Sequence, residues 1–244
     1  MNISHANAAA GVDWFVCGWR RFKENWTFWL VMIVVMMAVL LVLSLVPLLG
    51  AVAAGFLGLV MLGGVFRAAR TEEEGGSVQV GILFWAFQDQ EKLRPLLILG
   101  LLQMLSQMLI GAMAVALVGS RLSQVATLGQ IGSPGFPAAA MDFSQLFSPG
   151  LLLGFLMVVA LGTLVSMAFV FAVPLVVLDG QRPVDALKLS LAGCWQNLGA
   201  LAVFGLIYIL ATVVAAIPFG LGLLILLPVT LLALYCAYQD LYRR

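Results

Sequence analysis

Few polar side chains lie where they could do chemistry inside the apolar stretches of this chain. Gln103, Ser106 and Gln107 are three and four residues apart, so on a helix they form one polar patch. Such a patch either lines a path for water or lipid headgroups or hydrogen-bonds to a neighbouring helix. Glu72, Glu73 and Glu74 run into Gly75 and Gly76. Three carboxylates can bind a cation, but carboxylates in a glycine-rich loop have no ordered shell behind them, so Thr71 to Ser77 reads as a solvated, charged loop. His5, the one histidine, lies in a polar tail and reads as inert.

No Asp, Glu, Lys or Arg is clear of the ends of the apolar segments. That disfavours proton-coupled transport, which uses intramembrane ionisable groups. There is no GxSxG elbow, Walker loop, HExxH helix or carboxylate pair at active-site spacing. Cys17, Cys194 and Cys236 are odd in number and contain no CxxC pair, so neither a disulfide framework nor a zinc site is expected. The expectation is a non-enzymatic protein with no catalytic residues, no metal and no cofactor.

Of the 244 residues, 63% are hydrophobic and 9% charged. With a mean hydropathy of +1.11, that balance belongs to a polytopic membrane protein. Thr27 to Val46 carries no charge, and its large aliphatic and aromatic residues favour membrane insertion by about 4 to 8 kcal/mol. Leu48 to Phe66 is again uncharged, and Pro47 with Gly50 leaves room only for a tight reversal. The two segments predict a hairpin. Further spans are expected from Pro95 to about Val118, from Gly150 to Leu178 with a kink at Pro174, from Leu198 to Ile217, and from Leu223 to Tyr235. A tight reversal occupies Pro218 to Gly222, and Gly119 to Pro149 is the long outer connection, either a spacer or a lid and partner contact. The pairs Ala51 and Gly55, Ala54 and Gly58, Gly162 and Ser166, and Ala168 and Ala172 read as close-packing faces or a homo-oligomer seam.

Val12 to Trp26 predicts an amphipathic helix, with Val12, Phe15, Val16, Trp19, Phe22 and Trp26 on one side. Arg20, Arg21, Asp13 and Glu24 fall opposite, with Lys23 at the boundary where it can snorkel. Val80 to Lys92 is a second, less regular interfacial segment. A third begins at Pro183, with Val184, Leu187, Leu191 and Trp195 as its stripe. The expected lipid-interface set is Trp14, Trp19, Arg20, Arg21, Lys23, Trp26, Lys188 and Trp195. All basic residues except Arg121 fall on one side of this layout, which predicts cytoplasmic termini. Met1 to Gly11 lacks a signal-peptide pattern, so the first helix is expected to be retained.

The first and last thirds also match. Asp13 is followed twelve residues later by Asn25, and Asp185 by Asn197 at the same interval. The turn prolines Pro47 and Pro218 follow within one residue of the same register. The predicted fold is thus an all-α membrane protein of six transmembrane helices in three hairpins with cytoplasmic interfacial helices. A single domain, 1–244, would hold parallel repeats at 12–70 and 184–244 around a middle hairpin at 80–178.

The segment from Pro174 to Asn197, with Ala186, Ser190, Cys194 and Asn197, resembles a family of uncharacterised proteobacterial inner-membrane proteins. The likeness extends to Gly18 and Trp19, the Pro47 turn and the reversal near Pro218. The chain also looks distantly like the membrane domain attached to some glycerophosphodiester phosphodiesterases, without their catalytic barrel. The resemblance implies a bacterial inner-membrane location and no particular activity, and Asp179 does not suggest a site. Ala186 and Ser190 are expected to form a small face against a neighbouring span. Membrane lipids are the expected partners, with a protein partner or a second copy as the alternative and no nucleic acid. The expected function is a lipid- or partner-binding scaffold of the cell envelope, and a lipid or small-solute transporter without ion coupling is the alternative.

Overall fold

A computed structural model describes residues 3–46, 49–119, 149–217 and 219–243. Pro47, Pro218 and the long connection at 120–148, including Arg121, lie outside the described residues. Nine α-helices are described: α1 (Ala10–Glu24), α2 (Trp26–Ser44), α3 (Leu49–Glu73), α4 (Gln90–Ala114), α5 (Pro149–Val170), α6 (Ala172–Asp179), α7 (Pro183–Gln196), α8 (Leu198–Ala216) and α9 (Gly222–Tyr242). A 3₁₀ segment, Val80–Phe87, precedes α4, and a π turn, Val115–Gly119, ends it. Among the described residues, six stretches are long and apolar enough to cross a membrane: Trp26–Ser44, Val52–Glu73, Gln90–Leu117, Leu152–Asp179, Leu198–Ala216 and Gly222–Tyr242. The predicted all-α membrane architecture is therefore observed.

The chain divides into two compact units, Met1–Leu102 with Met167–Arg244, and Gln103–Ser166. The smaller holds the second half of α4 and most of α5. Its surface is apolar at Leu105, Met108, Leu153 and Leu156, and Thr163 and Ser166 return their hydroxyls to Val159 and Gly162 of their own helix. Such internal satisfaction suits a segment in hydrocarbon.

In the larger unit, α2 packs on α3 and α8 on α9, while α9 also touches α2 and α3. The predicted interfacial segments do not lie where periodicity alone would leave them. Helix α1 is seated on α9 and α8, through a seam of Ala10, Gly11, Trp14, Gly18 and Phe22. A Cβ on Gly18 would come within 2.5 Å of the Ala233 nitrogen, and one on Gly11 within 2.3 Å of the Ala200 carbonyl oxygen. The 3₁₀ segment sits on α3 at Gly64, where a Cβ would meet the Ile82 carbonyl at 2.6 Å. By contrast, Gly55 and Gly162, expected in packed faces, have open space around them.

Helix α3 continues to Glu73, so the glutamate run closes a helix where the sequence reads as a loop. Asp89 caps α4 by accepting hydrogen bonds from the backbone N–H groups of Glu91 and Lys92, which starts the helix before Pro95. Between α5 and α6 the ladder breaks at Phe171. The cause is Pro174, whose ring excludes the carbonyl of Val170, four residues back, from a continuous helix. Ser190 of α7 enters the break: its hydroxyl donates to the Met167 carbonyl at 2.7 Å and accepts from the Phe171 N–H at 3.1 Å. One buried hydroxyl thus replaces one helical hydrogen bond, and the predicted small face of Ala186 and Ser190 is fully buried.

Asn25 joins α1 to α2 as Asn197 joins α7 to α8, each a single residue with non-helical backbone between two helices. Asn197 is buried; its amide accepts from Ala6 N–H and donates to Ser4 and Gly193 carbonyls, which fixes the N-terminal tail.

Substituting Ser190→Ala leaves the Phe171 N–H without its acceptor and the Met167 carbonyl with only the Cys194 thiol at 3.4 Å, and should lower unfolding stability in detergent by about 1–3 kcal/mol. Thr212→Ala, whose hydroxyl serves only its own helix, should be near neutral. Equal melting of Ser190→Ala and the parent would show that the bridge contributes nothing to stability.

Candidate functional site

The charged groups of the larger unit gather where α3, α6 and α9 end and α2 begins. Each carboxylate in this layer meets donors, most of them from another element. Glu72 accepts from Asn25 Nδ2 at 3.0 Å and from the indole of the buried Trp29 at 3.1 Å. Glu73 accepts from the Tyr235 hydroxyl and the Gln239 amide, and pairs with Arg21 at 3.2 Å. Glu74 pairs with Arg70 one turn earlier. Asp179 accepts from the Tyr238 hydroxyl and pairs with Arg243 at 3.4 Å. Trp14 donates to Asp240 at 3.0 Å.

This geometry overturns the solvated-loop reading of the glutamates and gives Asp179 a definite role. Periodic apolarity could not show it, because the donors to Glu72, Glu73 and Asp179 come from residues more than forty positions away, as the separations of 43 for Trp29 and 162 for Tyr235 illustrate. Chemically, the layer holds negative charge in place. With their oxygens committed to tyrosine, tryptophan, asparagine and arginine donors, most of them on other helices, these carboxylates make the layer a clamp between helices.

The predicted lipid-interface residues separate into two groups. Trp14 is buried, 3% exposed, against Phe204 and Asp240. Arg21 lies over the Tyr235 ring at 5.2 Å and pairs with Glu73. Neither faces lipid, since tertiary packing claims both. Trp19, Trp26 and Trp195 are exposed, as are Arg20, Lys23 and Lys188. Among the described residues the ion pairs are Arg21–Glu73, Arg70–Glu74 and Arg243–Asp179, so Arg20, Lys23 and Lys188 are in none of them. Gln103 and Ser106 are half-buried and Gln107 exposed, in the smaller unit.

Cys17 and Cys236 form a disulfide between α1 and α9, with Cα atoms 6.4 Å apart. This corrects the expectation of no disulfide: the partners are 219 residues apart and meet only through the α1 seam. The bond lines a polar pocket of about 590 Å³ with His5, Asn7, Asp13, Gln239 and Asp240. Cys194, which stays free, is buried, and that burial pushes its thiol up to about 12. Among the described residues no group of three or more His, Cys, Asp or Glu is placed to hold a metal ion.

The chain is similar to a probable inner membrane protein of Burkholderia thailandensis, 29% identical over 258 positions that cover all of this chain and 93% of that protein. No protein-family model matches the chain, and no solved structure does. An inner-membrane family without an assigned activity therefore fits the chain, which is an integral membrane protein.

In denaturant a maleimide should add to one cysteine, Cys194, before reduction and to all three after a dithiol opens the Cys17–Cys236 bond. Three additions before reduction would show the pair open. Across the clamp, a double-mutant cycle of Tyr238→Phe and Asp179→Asn should give a coupling of about 0.5–3 kcal/mol, and additive losses would mean the two do not act together.

Proposed function

We propose that this protein is a non-enzymatic lipid-binding scaffold of the bacterial inner membrane, holding anionic headgroups against a basic collar. The observation that supports this reading is how charge is used at one end of the larger unit. Glu72, Glu73 and Asp179 are spent internally on helix clamps, while Arg20, Lys23 and Lys188 stay exposed beside Trp19, Trp26 and Trp195, with Asp13, Glu24 and Asp185 exposed among them. Exposed tryptophan next to basic side chains outside any ion pair suits the level of lipid headgroups.

In this reading the six spans form three hairpins, with both termini and the collar in the cytoplasm, following the concentration of Lys and Arg at that end. The two Asn elbows support a parallel repeat of an interfacial helix followed by a hairpin. The Cys17–Cys236 bond then faces a reducing compartment, where it is a reversible bond and not a permanent staple.

A second reading, transport of a lipid or small solute, is favoured by one observation: Gln103 Oε1 is buried with no hydrogen-bond partner among the described residues. Liposomes reconstituted with the protein should show no scrambling or solute flux if the scaffold reading holds.

Replacing Arg20, Lys23 and Lys188 together with glutamine should weaken association with phosphatidylglycerol by roughly 100-fold at low salt, since each basic residue near an anionic surface contributes about 1 kcal/mol. Native mass spectrometry of the extracted protein reads this directly. Unchanged retention of phosphatidylglycerol would exclude the collar.

A further inference from the structure

Helices α8 and α9 form a V. At the turn end they touch: a Cβ on Gly222 would come within 2.6 Å of the Ala215 Cα. At the other end α1 lies between them, with Gly11 against the backbone of Ala200 and Phe204 and Gly18 against Val229 and Ala233. One helix therefore spreads the two arms that the turn pinches together. The gap that remains has a volume of about 510 Å³, within the ~300–1,000 Å³ range of small-ligand sites. Phe15 and Trp19 of α1 close its wide end, and Ala211, Val214, Ile225 and Leu226 form its walls. Apart from the Trp19 indole, no side chain lining it carries a polar atom.

The walls belong to two of the membrane-crossing segments, so the gap opens into hydrocarbon. Water has no hydrogen-bond partner along those walls, and apolar cavities stay dry. Left empty, the lining would forfeit its dispersion contacts on one side. From Ile207 to Ala215 the gap follows α8 for about 12 Å. A helix of a second protein, about 10–12 Å wide along its whole length, cannot follow a gap that tapers to contact at Gly222, whereas a single flexible hydrocarbon chain can. The wide end has a charge to match a headgroup. Lys23 stands one turn beyond Trp19 on α1, exposed and in no ion pair among the described residues, and Arg20 is exposed beside it.

We infer that the V between α8 and α9 is a binding site for one acyl chain of an anionic phospholipid, with the lipid phosphate against Lys23. This rests on the lipid-binding reading above and narrows it to one site, one chain and one headgroup charge. The small side chain of Ala211 keeps the site open. Trp19 covers the junction between chain and headgroup, where an aromatic ring meets both an apolar and a wet neighbour.

The test is native mass spectrometry of the full chain extracted and exchanged into detergent with added phosphatidylglycerol. The parent should retain about one phosphatidylglycerol per chain. Ala211→Phe, which fills the gap, should lower retention at least fivefold, and Ile225→Trp should do the same from the opposite wall. Ile225 is 41% exposed, so this second variant decides the question if Ala211→Phe is not monodisperse. Ile209→Phe, at a position 59% exposed and outside the lining, should retain lipid like the parent. Lys23→Gln should keep a bound lipid but lose the preference for phosphatidylglycerol over phosphatidylcholine.

Parent-level retention in both gap-filling variants would overturn the site, as would equal loss in Ile209→Phe or a second copy of the chain retained in place of lipid. If the gap-filling variants keep their lipid while the Arg20, Lys23 and Lys188 glutamine variant loses it, this site fails and the collar stands. A parent that retains no phospholipid would sink both.

Discussion

Helix α1 can lie on α8 and α9 because residues 11 and 18 have no side chain, and much of the larger unit depends on that approach. With any Cβ at these positions the backbones would have to separate, since the nearest backbone atoms are within 2.3 and 2.5 Å of where it would stand. The close seam brings Trp14 to Asp240, Arg21 to Glu73 and Tyr235, and Cys17 to Cys236. It also sets the opening of the V below. An amphipathic helix that merely floated at the interface would make none of these contacts.

A second constraint is the need to satisfy polar groups at or near hydrocarbon. An unpaired backbone or side-chain group there has no water to turn to. The structure meets this locally, with short polar residues at helix breaks. Ser190 bridges the break that Pro174 imposes, and Asn197 occupies the elbow before α8 and ties down the N-terminal tail. At the charged end the same need recruits Tyr235, Tyr238 and Trp29 from the helices to the carboxylates of α3 and α6. Polar residues that look dispersed along the chain are therefore consumed in joining helices.

Among the side chains that the clamps leave over are exposed basic and aromatic ones at one end, with an apolar V beside them. These fit the two parts of a phospholipid, its charge and its chain. The disulfide adds a covalent link between α1, which carries the aromatic lid of the V, and α9, which forms one of its arms.

Residue order alone was enough to read the membrane class, the six spans to within a few residues at most ends, the exposure of Trp19, Trp195 and Lys188, and the small face at Ala186 and Ser190. These properties follow from hydropathy and helical period, which act over neighbouring residues and need no knowledge of the fold. Four others became visible only once the helices were packed: Trp14 and Arg21 turn inward, the glutamate run ends a helix and clamps its neighbours, Cys17 meets Cys236, and α8 and α9 stand apart. Each of those depends on which helix surface lies against which. That choice is made by backbone approach at particular glycines, and chain separations such as 219 residues leave no local trace of it.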